Sequence, residues 1–165
     1  MTTATTFSEL TGTYTFDVAH SRFGFVARHA MVTKVRGAFT DFTGTATIDG
    51  ENPANSSATV TLQVASIDTR NGQRDEHLRT NDFLDLASFP TITFTSTAIK
   101  HLAGTEFEVT GDLTIKGVTK QVTIPLEYQG AATDPFGNKR IGFEGSTKIV
   151  RSDYGVSYNA ALDTG

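Results

Sequence analysis

The chain has 165 residues and 17.7 kDa, a length that suits one domain. Lys and Arg number 14 against 18 Asp and Glu, so the net charge is −4, the wrong balance for a surface that grips phosphate backbones, and nucleic acid is not an expected partner. The absence of Cys excludes disulfides, a thiolate nucleophile and a Cys-ligated metal, and no run of about 18 apolar residues is present to form a membrane-crossing helix. Residues 1–11 read as a flexible N-terminal arm, and residues 12–165 as a single domain. Met1 to Thr15 lack the basic start and apolar core of an export signal, which predicts a cytoplasmic location, the alternative being a signal already removed. Counts of 28 Thr, 15 Gly and 12 Phe favour strands, bulges and turns over helices.

From Gly12 onward apolar residues recur with period two, placing them on one face of successive strands. Tyr14 and Phe16 open the series. Phe23, Phe25, Ala27 and His29 share a face, opposite Arg22 and Arg28. Val35, Gly37 and Phe39 hold one phase and Phe42, Gly44, Ala46 and Ile48 the other, so a bulge near Thr40–Asp41 is expected to keep all of them inward. Ala58, Val60, Leu62 and Val64 continue the pattern. Ile92, Phe94, Ser96 and Ala98 form the next inner row, with threonines between them. Phe107, Val109, Gly111, Leu113 and Ile115 follow, then a hairpin tip at Lys116-Gly117, then Val122, Ile124, Leu126 and Tyr128. A turn at residues 134–138 leads to Ile141, Phe143, Gly145, Thr147 and Ile149.

One stretch departs from alternation. Residues 71–86 read as one or two short helices, with Asn71 and Asn81 as N-caps and Asp75–Arg79 as an i,i+4 pair. The rest amounts to about eight antiparallel strands, each with one apolar face. A closed barrel hides its edges; a two-sheet sandwich is the alternative. Long segments favour the barrel: residues 33–48 would span roughly 50 Å at ~3.3 Å per residue. Glycines on the inner rows (Gly37, Gly44, Gly111, Gly145) favour it too, since they permit coiling and leave interior space. The lumen of such a barrel suits a slender apolar chain.

Catalytic signals are sparse. Among the four histidines only His29 is phased inward, as a core histidine or a polar anchor for a head group. Arg74-Asp75-Glu76-His77 has the residue types of an acid–base cluster, but neighbouring positions on a helix do not face each other, and capping with salt bridges accounts for it. There is no GxSxG elbow and no glycine-rich phosphate loop before a helix.

These residues resemble the YceI family of lipocalin-like proteins. The resemblance runs through Phe16-Asp17, His20-Ser21, Phe23, Phe25, His29, Val35, Gly37 and Phe39. It continues in Ile67-Asp68-Thr69, Arg74-Asp75, His77-Leu78, Asp82-Phe83, Asp85, Phe89-Pro90, Ile92, Phe94 and Ser96. Residues 111–120 (GDLTIKGVTK) are close to the family signature, and Gly142-Phe143 and Arg151-Ser152-Asp153-Tyr154-Gly155 follow in order. Tyr14 stands where the family commonly has Trp. The family pattern usually continues past a segment like Ala161–Gly165 into one further strand. The resemblance therefore implies an elongated, lipocalin-like antiparallel barrel that is incompletely closed if that strand is missing.

It also implies a binding protein, not an enzyme, that carries a polyisoprenoid or isoprenoid quinone in its tunnel, with no cofactor or metal. Many family members are exported. The expected lining is Phe23, Phe25, His29, Val35, Phe39, Phe42, Val60, Leu62, Phe83, Phe94, Leu113 and Phe143, with His29 and Arg74 at the head group. Two other readings stand beside this one: an enzyme acting on a lipid-like substrate through His29, and a ligand-free barrel whose exposed edge pairs with a second chain as a homodimer.

Overall fold

The computed structural model describes residues 7–29 and 33–157, with Arg28, His29 and Thr33 as backbone only. The strands are β1 (Gly12–Thr15), β2 (Phe23–His29), β3 (Thr33–Phe39), β4 (Phe42–Ile48), β5 (Ser57–Gln63), β6 (Ile67–Asp68), β7 (Thr91–Ala103), β8 (Glu106–Ile115), β9 (Val118–Thr133) and β10 (Lys139–Gly145). A single helix, α1 (Gly72–Leu78), lies between β6 and β7. All pairings are antiparallel. One sheet has the order β1-β4-β5-β7-β8-β9-β10 and a second the order β2-β3-β6. The chain is thus all-β, curled into an incompletely closed barrel.

Among the described residues ten strands stand where eight were expected, and the main cause lies at Thr40–Asp41. The predicted bulge is a corner: β3 ends in one sheet and β4 begins in the other. Backbone groups at the corner are satisfied by neighbours, Thr40 N donating to Ser66 O (3.3 Å) and Gln63 N to Asp41 O (2.9 Å). The phase change does keep both rings inward, with Phe39 and Phe42 buried. An edge-to-face series of rings, Phe16 to Phe23 (5.4 Å) and Phe23 to Phe42 (4.8 Å), ties the two sheets together.

Two further strands depart from simple alternation. The β7–β8 register skips a residue between Ser96 and Ala98. Ala98 therefore turns outward and is exposed, while Ile99 comes opposite Val109 and His101 opposite Phe107. This corrects the inner row predicted through Ala98, and brings the His101 ring against Phe7 and Phe107. β10 stops at Gly145, so Thr147 and Ile149 lie beyond the strand.

Asn71 caps α1 as expected, its Oδ1 accepting from Arg74 N at 3.0 Å. No second helix follows; residues 79–90 form hydrogen-bonded turns, with Asp85 in the left-handed region at φ 53°. The Asp75–Arg79 pair does not form. Asp75 is buried and accepts from Thr69 N (2.9 Å) and Thr69 Oγ1 (2.5 Å), while Arg79 donates to Ala65 O (3.2 Å) and Ile67 O (3.3 Å). The expected hairpin tip is present, with Lys116 and Gly117 both at positive φ, as a two-residue turn of this kind requires.

The core has two centres. Under α1, Phe39, Val64, Ile67 and Ile92 are buried and covered by Leu78, Leu84 and Leu86. At the other end Leu10, Phe107 and Tyr128 pack with Phe7, Ile48, Leu126 and Ile141. The arm expected to be flexible is thus docked from Phe7 on, as a 3₁₀ turn (Phe7–Leu10) whose Leu10 is buried. Apolar contact explains this: the Phe7 ring stands edge-on to His101 (5.2 Å), Phe107 (5.2 Å) and Tyr128 (5.6 Å).

Among the described residues β1 and β10 do not pair. Side chains bridge that seam. Arg140 donates to Asp17 and Lys139 to the Glu9 carbonyl, while Arg140 also donates to Asp134 (3.2 Å) on its own side of the seam.

Candidate functional site

The inner rows of the sheets define the site. Phe94 and Ser96 on β7, Gly111 and Leu113 on β8, and Val122, Ile124 and Leu126 on β9 share one face. The polar member is satisfied, with Ser96 Oγ accepting from Ala58 N at 2.8 Å. Outward, the same strands carry threonines that bond to one another, such as Thr110 to Thr123 (2.9 Å) and Thr114 to Thr119 (2.7 Å). Alternation has therefore sorted a dry wall from a wet one.

The predicted lining divides into three groups. Phe39, Phe42 and Val60 are fully packed, at 8%, 2% and 9% exposure. Phe23, Phe25, Val35, Leu62, Phe94 and Leu113 are half-buried and form the wall. Phe83 and Phe143 lie at the margins. Phe83 sits in the turns after α1, edge-on to His77 (5.0 Å) and 6.0 Å from the Arg151 guanidinium. Phe143 is partly exposed on β10, against Tyr128 (5.5 Å) and Phe107 (5.9 Å). The His29 side chain lies outside the described residues.

Inner-row glycines do not leave empty space, as the sequence suggested; three of them lie beneath rings. A Cβ on Gly37 would stand 2.5 Å from Phe25 Cζ, and one on Gly111 would stand 2.6 Å from Phe94 Cζ. Phe16 covers Gly44 in the same way. A ring laid over a cross-strand glycine thickens the wall instead of projecting inward. The glycines thus keep the interior smooth.

Arg74 is half-buried and turned back on its own turn, Nε donating to Thr69 Oγ1 (2.8 Å) and Nη2 to Thr69 O (2.8 Å). With Asn71, Gln73 and His77 it lines an open surface depression of about 400 Å³. His77 Nε2 is 2.8 Å from Asp82 Oδ2, and His20 Nδ1 is 2.8 Å from Asp17 Oδ2; both pairs are on exposed positions. Among the described residues no cluster of three or more His, Cys, Asp or Glu could hold a metal.

Charge perturbations concentrate at the seam. Hydrogen bonds from His20 and then Arg140 hold Asp17 down to about 2. Bonds from the Asn138 backbone and others lower Asp134. Burial raises the Tyr14 and Tyr128 phenols, so both stay neutral; Tyr14 gives its hydrogen to Leu10 O (2.8 Å).

Val122, Ile124 and Leu126 belong to the wall although they were not among the predicted lining; their phase already placed them there. Lys120 was also legible: it shares that phase and lies opposite Leu113, with its side chain exposed. His101 was not, because the bulge before it leaves no mark in the pattern.

Comparison with known proteins agrees with this architecture. The YceI-like domain profile matches residues 14–165. Protein YceI of Escherichia coli O157:H7 is 44% identical over 137 residues, covering 83% of this chain and 71% of that one. The crystal structure of Burkholderia cenocepacia BcnA superposes with a TM-score of 0.74 at 32% identity, covering 84% of this chain and 82% of that chain. A polyisoprenoid-binding domain from Saccharophagus degradans, at 17% identity, shares the fold with a TM-score of 0.61 over 83% of this chain and 77% of its own. The extent of the profile match and the identity to E. coli YceI place this chain in the YceI family.

Proposed function

We propose that this chain binds and carries one long apolar lipid of the isoprenoid class along its inner wall. The observation that carries the reading is the half-burial of that wall. Phe94, Val122 and Ile124 face inward and are apolar, yet each keeps accessible surface. Side chains that point inward without being covered border space the protein's own atoms do not fill. Leu113 packs into the centre under α1 and Leu126 into the other, and Phe94, Val122 and Ile124 lie between the two. Membership of the YceI family supports the reading, and a polyisoprenoid-binding domain is built on the same fold.

The driving force is burial, at about 0.8 kcal/mol per CH₂ before association costs. Arg74 and His29 are the proposed head-group contacts; Arg74 Nη1 is not committed to Thr69. A carrier fits better than an enzyme, because the His–carboxylate pairs His20–Asp17 and His77–Asp82 sit on exposed positions outside the apolar rows.

The test is organic extraction of purified protein followed by mass spectrometry, with Ile124→Asp alongside. The expected result is a long-chain lipid from the parent protein and its loss from the variant, since a carboxylate on the wall opposes an apolar guest. Absence of lipid, together with failure of the stripped protein to take up added polyprenol, would overturn the proposal.

A further inference from the structure

The outer face of the β2–β3 pair is cationic and unpaired. No Asp or Glu occurs between Asp17 and Asp41, whereas Arg22, Arg28, Lys34 and Arg36 all fall there. The whole chain carries −4, so this stretch sets +4 against −8 on the remainder. Register places the four on one face. Phe25 and Gly37 pair on the inside, which leaves Arg36 opposite Val26 and Arg28 opposite Lys34 on the outside. Arg22 joins them, its Nε lying 3.0 Å from where a Cβ on Gly24 would stand. The side chains of Arg22, Lys34 and Arg36 are exposed and make no ion pair among the described residues. The carboxylate at the margin, Asp68, lies opposite Ala38 and accepts from Arg70 N (2.8 Å).

A second face carries the opposite sign. Glu106 on β8 lies opposite Glu127 on β9, and Glu127 opposite Glu144 on β10, so three exposed glutamates stand abreast across three strands. No ion pair relieves them among the described residues. Glu127 Oε1 accepts from Gln129 Nε2 (2.8 Å), an uncharged donor. Glu108 differs, having Lys100 opposite it. Like charges directly opposite one another destabilise a sheet, and both faces hold such pairs, Arg28 with Lys34 and Glu106 with Glu127. The two faces belong to different sheets, and no ion pair joins them within one copy.

We propose that the cationic face of one copy of this chain docks onto the glutamate row of another. The faces match in sign and in size: the row spans about 10 Å at ~4.8 Å per strand, and the stripe from Lys34 to Ala38 about 13 Å at ~3.3 Å per residue. Each also offers an exposed apolar residue, Val26 opposite Arg36 and Pro125 two residues before Glu127. Docking of a second copy relieves both sets of like charges at once, whereas a foreign acidic surface would relieve the cationic face alone. Because the two faces differ, the contact is head-to-tail and can repeat from copy to copy. It leaves the free edges of β1 and β10 unused, and it does not depend on lipid carriage.

Sedimentation velocity on the purified full chain is the test. At low ionic strength the average mass should rise with protein concentration above the single-chain 17.7 kDa. It should return to that value in about 0.5 M salt, where exposed charges are screened. The triple variant Arg22→Gln, Lys34→Gln, Arg36→Gln removes one face, and Glu106→Gln, Glu127→Gln, Glu144→Gln removes the other; circular dichroism checks that both fold. Each should stay at single-chain mass when alone. An equal mixture should form pairs and go no further, because one intact face of each kind remains. The single changes Arg36→Gln and Glu127→Gln should each weaken the parent's self-association several-fold. A parent that stays single at low salt would overturn the proposal. So would a mixture that fails to pair, or association that survives in either triple variant, which would place the contact on another surface such as the β1 or β10 edge.

Discussion

The cluster under α1 and the inner row of β9 are made of the same residue types and end differently. Val64, Ile67 and Ile92 are 1%, 3% and 5% exposed, while Val122, Ile124 and Leu126 remain half-buried. A covering layer makes the difference. Leu78, Leu84 and Leu86 close over the first group, whereas β10 ends opposite Leu126 and leaves the preceding half of β9 without it as a neighbour. Alternation decides which way a side chain points; what it meets there is decided by distant segments.

If that contrast is right, truncations at the two places should separate stability from binding. Ile67→Ala should cost about 3 kcal/mol in urea unfolding, through lost burial and the cavity left behind. Ile124→Ala should cost about 1 kcal/mol, because less surface is buried there, and should instead lower the amount of lipid recovered. Equal losses at both sites would erase the contrast.

The polar brace of the packed end should come next in size. Asp75→Ala leaves the buried Thr69 N–H and hydroxyl without their acceptor, at a cost of about 2 kcal/mol. Asp75→Asn keeps one acceptor and should lose less; the two variants are compared by urea midpoint. Gly37→Ala sharpens the wall side. Its Cβ meets Phe25 Cζ at 2.5 Å, so the ring must lift into the interior, costing about 1 kcal/mol and reducing lipid uptake.

The smallest effect belongs to the seam. Asp17 has a folded pKa of about 2, below the ordinary carboxylate value of about 3.9. Its contribution is therefore present above roughly pH 4 and fades as pH falls through about 2. Asp17→Asn should flatten the pH dependence of the urea midpoint in that window. A midpoint that varies as before would show that the seam is not tied there.

Much of this was legible from residues alone. β8 and β9 follow their alternation from Phe107 to Ile115 and from Val118 to Leu126, and the flip between Phe39 and Phe42 marks an irregularity that reads as a bulge but is a corner between sheets. The slip at Ser96–Ala98 was hidden, since Thr and Ala tolerate either side and their order does not betray an extra residue. The docking of Phe7 and Leu10 was hidden too, because it depends on rings from β8 and β9 more than ninety residues away. For the site, the wall was readable by phase, but the laying of Phe25 over Gly37 needed two strands in register.

A crystal structure of the protein as purified tests the central claim most directly. The account predicts continuous elongated electron density along the inner wall, touching Phe94, Val122 and Ile124. Those side chains closing on one another, with the two sheets collapsed together and no density between them, would contradict it.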